Sequence, residues 1–251
     1  MNSKFYKFLS YLEKYNDNYV LIGGNACSIY LEERKILPRK TVDFDIVLCY
    51  QENNIKFEKT LIKVIEDGNY ESKFKNGKLT AYRFEHPKTP DFPSIIELFC
   101  SINRGSLSKN KRFTKLNLVV NEEKASAMTI TVEIFEYLVS NKITKDGLPI
   151  PNIYSLIVLK VYGYFENLRL YKEKQVHRND VNKHRTDVIL LLLSMQSNEI
   201  IPHRDYPLSL SEYMNEFINV LSKASDVLKN RKITSVKISD IVEKYKKIFI
   251  Q

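Results

Sequence analysis

The chain has no tryptophan and only three cysteines, and its longest apolar run, residues 188–193, is far short of a membrane span. A bilayer-crossing helix needs roughly 20 predominantly apolar residues, so a membrane partner is not expected. Cys27, Cys49 and Cys100 form no close pair and leave one over. This argues against a disulfide-stapled scaffold or a cysteine-built zinc site and predicts a reducing, cytoplasmic setting. The four histidines (His86, His177, His184, His203) are scattered without metal-ligand spacing. Near the start, Lys4 and Lys7 lead into the polar Glu13-Lys14-Tyr15-Asn16-Asp17-Asn18, which lacks the apolar core of a secretion signal. Internal repeats and low-complexity tracts are also missing.

What is present is the composition of a folded protein: 43% hydrophobic, 27% charged and 12% aromatic over 251 residues, enough for one large domain or two smaller ones. The net charge of +9 is uneven, +3 over residues 1–140 and +6 over residues 141–251. A basic second half suits a polyanion such as RNA, although lysine-rich surfaces are also a common compositional habit.

Hydrophobic periodicity divides the chain into two textures. Up to about residue 140 short strands alternate with helices. Helices are expected over 3–15, over 25–33 with Asn25 as N-cap, and over 57–67 closed by Gly68. Strands are expected over 19–22, 41–49, 70–74, 79–84, 94–99, 116–120 and 129–134. Asn76-Gly77 between two strand-like runs is a hairpin signal. Beyond the turn-rich connector Lys145-Asp-Gly-Leu-Pro-Ile-Pro151 the pattern is helical, over 152–172, 178–196, 208–228 and 235–249. The predicted organisation is α+β: a mixed sheet flanked by helices over residues 1–147, then a helical bundle over 148–251.

The chemistry concentrates in residues 19–48. An apolar strand, Tyr19-Val-Leu-Ile22, runs into Gly23-Gly24, and a second strand carries Asp43 and Asp45. Residues i and i+2 of a strand share a face, so the two carboxylates project side by side. Adjacent carboxylates repel unless a cation joins them, and a hard divalent ion with few protein ligands usually completes its shell with phosphates. Gly23 and Gly24, between a strand and a helix start, are placed to let phosphate approach backbone N–H groups. Glu97 is the one ionisable residue of the apolar run Ile95-Ile-Glu-Leu-Phe99. An unpaired carboxylate there is costly, so it is expected at the same ion. Each feature also has a plainer reading: a turn, two solvated edge carboxylates, a glutamate facing a lysine. Their joint occurrence on successive core-like strands favours the site.

The pattern resembles the nucleotidyltransferase superfamily of polymerase-β-like fold, and within it the AbiEii/AbiGii abortive-infection toxin family. The resemblance rests on Gly23-Gly24-Asn25-Ala26 and on Arg39-Lys40-Thr41-Val42-Asp43-Phe44-Asp45. It rests more loosely on Lys160 in Ile157-Val-Leu-Lys-Val-Tyr and on Lys183-His-Arg-Thr-Asp187. This sequence departs from that family in extra residues over 32–38 and in Glu97, where many members have aspartate.

The resemblance implies an N-terminal nucleotidyltransferase domain, with Asp43, Asp45 and Glu97 catalytic and binding Mg²⁺ or Mn²⁺. Gly23, Gly24, Arg39, Thr41, Lys160, Lys183 and Asp187 would bind nucleotide, the last three as one wall of an interdomain cleft. It also implies an NTP substrate, an RNA (tRNA) or protein acceptor, a toxin or phage-defence role and a cognate antitoxin. A small-molecule nucleotidyltransferase of the antibiotic-modifying kind, and a catalytically silent nucleotide-binding module, are the alternatives. The plainer readings are a snorkelling surface lysine for Lys160 and a helical i,i+4 pair for Lys183 and Asp187. His184 and Arg185 are expected to face solvent. Arg104, Lys109, Lys111 and Arg112 form a basic loop that reads as an RNA contact or as a solvated loop.

Overall fold

The computed structural model describes residues 6–41, 43–49, 55–75, 78–101, 113–120 and 123–250. The chain forms two compact units. One comprises residues 1–29 and 40–151, the other residues 30–39 and 152–251.

The first unit is α+β. Its sheet is built on β1 (Tyr19–Leu21), β2 (Asp43–Leu48) and β5 (Ile95–Ser101), with β3 (Glu71–Lys75), β4 (Lys78–Glu85), β6 (Phe113–Val120) and β7 (Glu123–Ile130) completing seven strands. The order β1-β2-β5-β4-β3 mixes directions: β2 and β5 are parallel, whereas β1/β2, β5/β4 and β4/β3 are antiparallel. The far end of β5 pairs in parallel with β7, which in turn carries β6. Helices α1 (Tyr6–Leu12), α3 (Ile55–Asp67) and α4 (Val132–Ser140) accompany the sheet, and α2 (Gly23–Glu33) follows β1.

Strand alternation sets the layers. Phe44, Ile46, Ile96 and Leu98 are buried, while Asp43, Asp45 and Glu97 lie on the other, partly open face. Phe8 of α1 meets Phe44 edge-on at 4.6 Å between ring centroids, and Tyr19 stacks on Phe57 of α3. These aromatic contacts seal the apolar side of the central strands.

Local expectations in the first unit are corrected at three places. Asn25 does not cap α2 from outside. It lies within the first turn, and its side-chain amide donates to the Asp43 carbonyl at 2.5 Å, tying the helix start to β2. Residues 129–134 are not one strand: β7 ends at Ile130 and Thr131 caps α4, its hydroxyl accepting from the Ile134 N–H at 3.3 Å. The β-branched run Thr129-Ile-Thr-Val132 looks like a strand, but a capping hydroxyl followed by Glu133 in the first turn is a helix start.

The third concerns the segment read as a connector, which is a hairpin of β8 (Lys142–Lys145) and β9 (Leu148–Pro151). Asp146 and Gly147 both have positive φ, 51° and 77°, as the two-residue turn of a right-twisted hairpin requires. The hairpin lies within the first unit, whose residues run to Pro151. The turn at Asn76-Gly77 lies outside the described residues, although β3 and β4 do pair across it.

The second unit is helical: α5 (Ile153–Lys172), α6 (Arg178–Ser194), α7 (Ser211–Ser222), α8 (Ser225–Asn230) and α9 (Ile238–Phe249). Asn152 caps α5 by accepting from the Ser155 N–H at 2.9 Å. The expected helix over 208–228 is broken into a 3₁₀ turn, α7 and α8. Leu156, Ile157 and Val161 of α5, Val188 to Leu192 of α6, Phe217, Leu221, Tyr245 and Phe249 form the core. The buried Tyr245 hydroxyl donates to the Met214 carbonyl at 2.9 Å, which satisfies the one polar atom this aromatic brings inside. Among the described residues no helix is long and apolar enough to cross a membrane.

Candidate active site and a buried ion cluster

Asp43 and Asp45 alternate with the buried Phe44 along β2, and the parallel register sets Asp45 directly opposite Glu97 of β5. Directly paired residues of neighbouring strands project to one face, so the three carboxylates of the sequence motif share that face. The same row continues on β4, where Arg83 stands opposite Glu97. Its guanidinium is hydrogen-bonded to Glu97 through Nη1 and to Glu85 through Nε at 2.5 Å, and Nη2 lies 4.0 Å from Asp43 Oδ1. Burial works against the charge of Arg83, but the hydrogen bond to Glu85 and the charge of Glu97 outweigh it and hold the group above its ordinary pKa.

Arg83 and Glu85 are the residues that sequence reasoning missed. The signal was an Arg-x-Glu at strand spacing, matching the Asp-x-Asp of β2, but β4 was expected to end at residue 84. Glu97 does not sit uncompensated in an apolar strand, because an arginine answers it.

Gly23 is held at φ +73°, and a Cβ there would lie 1.7 Å from Asp45 Oδ2. The glycine therefore makes room for an aspartate. The absent side chain lets the Asp45 carboxylate rest against the β1–α2 turn, and the Ile22 N–H donates to the Asp45 carbonyl at 2.9 Å. Gly24 is buried in the first turn, with its carbonyl accepting from the Ser28 hydroxyl at 3.1 Å. Gly23→Ala combines a left-handed φ with a steric overlap. It is expected to displace Asp45 and destabilise the first unit by about 1–3 kcal/mol, measured by urea unfolding beside wild type.

As a donor set, Asp43 and Asp45 fit a hard divalent cation: they are oxygen ligands, adjacent and each partly open. Among the described residues no group of three or more His, Cys, Asp and Glu is arranged to hold a metal. Magnesium sites of one or two carboxylates completed by substrate phosphates need no such cage. Thr41 is partly exposed just before β2.

The second unit holds the remaining predicted residues. Asp187 of α6 is buried and held by two cations: Lys160 Nζ of α5 lies 2.6 Å from Oδ2, and Arg39 Nε lies 2.8 Å from Oδ1. Lys160 is thus a buried partner of Asp187 and not a snorkelling surface lysine. Lys183 does not pair with Asp187; it lies 3.5 Å from Asp180, partly exposed. Arg39 reaches Asp187 because residues 30–39 belong to this unit, anchored by Arg34 to Glu199 at 3.1 Å and by the Leu37 carbonyl, which accepts from Arg231 at 2.8 Å. The extra residues over 32–38 are that tether.

His184 is part-buried, with its Nδ1 shielded from solvent, rather than solvent-facing. Burial, then the charges of Lys160, Lys183 and Arg39, push its pKa well below the ordinary value, so the ring is neutral. Asn167 Nδ2 donates to its Nε2 at 2.8 Å. Gly163 makes space for it, since a Cβ there would lie 2.8 Å from the ring. Arg185, also mostly buried, pairs with Asp226 at 2.6 Å. Arg104, Lys109, Lys111 and Arg112 lie outside the described residues.

No protein-family model matches the chain, and no curated protein matches it. Among solved structures it is similar to the antibiotic-resistance factor ANT(2'')-Ia, with a TM-score of 0.39 and 12% identity over 78% of this chain and 84% of that one. A likeness of that degree carries no argument about chemistry, which rests on the residues.

Proposed function

We propose that the chain is a metal-dependent nucleotidyltransferase that moves NMP from an NTP to an acceptor hydroxyl on RNA (tRNA) or protein, as a toxin or phage-defence effector with a possible cognate antitoxin. The observation that carries this reading is the row Asp45–Glu97 across parallel strands, with Asp43 beside it and the Gly23 turn folded against Asp45. Asp43 and Asp45 would hold Mg²⁺ or Mn²⁺, which when bound supplies charge neutralisation and orientation for the triphosphate. The acceptor oxygen forms a bond to the α-phosphorus, the bond to the pyrophosphate oxygen breaks, and the hydroxyl proton is taken up at a carboxylate oxygen, for which Glu97 is the available group. Arg83, hydrogen-bonded to that carboxylate, would fix its direction.

The net charge of +9 favours a polyanionic acceptor over a cationic small molecule. In the second unit, Lys160 already has a carboxylate 2.6 Å away, so in engaging a phosphate it would exchange one anion for another. The α-phosphorus-labelled NTPs, incubated in turn with total tRNA, lysate protein and a panel of aminoglycosides, test the acceptor. Label is expected on tRNA or protein and is expected to be absent with Asp45→Asn. Label on the small molecules alone supports the antibiotic-type reading, and no label with any acceptor supports the silent module.

A further inference from the structure

On β2, β5 and β4 four carboxylates share one face of the sheet with Arg83. Asp43, Asp45, Glu85 and Glu97 lie on alternating positions of three adjacent strands, with Arg83 among them. The Arg83 guanidinium spans from Glu97 at Nη1 to the vicinity of Asp43 at Nη2, 4.0 Å away, while Nε is fixed by Glu85. A metal ion bridging Asp43 and Glu97 would have to stand where this guanidinium stands. Glu85 is almost fully buried and anchors the arginine through Nε, so that a fixed positive charge stands beside Glu97.

We propose that Arg83 is a built-in replacement for a second metal ion, so that the site takes one divalent cation per bound nucleotide, at Asp43 and Asp45, instead of two. This rests on the metal-dependent reading above. In two-metal sites the ions clamp both the attacking and the leaving oxygens. Here a fixed positive charge takes over on the Glu97 side, and Arg83 acts there as a positioning residue.

The test counts ions. The full chain is dialysed to equilibrium with Mn²⁺ and an NTP analogue whose α–β bridge is methylene, and bound Mn²⁺ is measured per bound nucleotide. Wild type is expected to give a ratio of one, Arg83→Lys one, and Arg83→Met two, because removing the cation frees the Asp43–Glu97 position. A ratio of two in wild type overturns the proposal, as does a ratio of one in a folded Arg83→Met. If Arg83→Met does not fold, the wild-type and Arg83→Lys ratios decide. Failure of the underlying reading looks different: no Mn²⁺ bound with or without the analogue removes the metal from the account altogether.

Discussion

Asp45→Asn is expected to lower NMP transfer at least about 100-fold while leaving the fold intact. Asparagine has the shape of aspartate, so the space beside Gly23 stays filled, but half of the two-carboxylate donor set is lost. Stability should move the other way from activity. In the absence of metal, Asp43, Asp45, Glu85 and Glu97 share one face with Arg83 among them, and neighbouring like charges oppose one another. Neutralising one should leave the urea midpoint unchanged or raise it slightly, as is usual where a site sets function against stability. Loss of both transfer and fold would make Asp45 a structural residue.

The second large effect is expected in the helical unit. Asp187→Ala removes the carboxylate that the buried Lys160 and Arg39 share. Removing one member of a buried ion pair costs about 3–5 kcal/mol. Lys160→Met is expected to be milder, about 1.5–3 kcal/mol, since Asp187 keeps Arg39 at 2.8 Å and an apolar side chain fills the space. The check is urea unfolding of both variants and of the double variant, read as a cycle. Coupling between the positions is required, because they share one carboxylate. An Asp187→Ala variant as stable as wild type would show that the cluster contributes nothing to the fold.

The acidic face was legible in the sequence, and the reason is geometric. Period-two alternation fixes which side chains of one strand share a face, so Asp43 and Asp45 followed directly from their spacing. That Glu97 joins them needed the pairing of β2 with β5, which its position in a buried-looking run suggested. Arg83 was not legible in the same way. Its partners lie on a neighbouring strand, and only the register of β4 against β5 brings it to Glu97. Arg39 was read as part of the motif it precedes, yet residues 30–39 pack with the helical unit and send its side chain to Asp187. His184 is expected to face solvent from the sequence, but it occupies the space that Gly163 leaves open. Charge along a helix says little about which of its faces is covered; the contacts do.

The central claim is that Asp43 and Asp45 hold a divalent cation with the phosphates of an NTP. It is tested most directly by isothermal titration of each of the four NTPs into the full chain, with Mg²⁺ or with EDTA, for wild type and Asp45→Asn. Binding of at least one NTP in Mg²⁺, lost in EDTA and lost in Asp45→Asn, is the predicted result. Binding that is equally tight without metal, or unchanged in the variant, would contradict it.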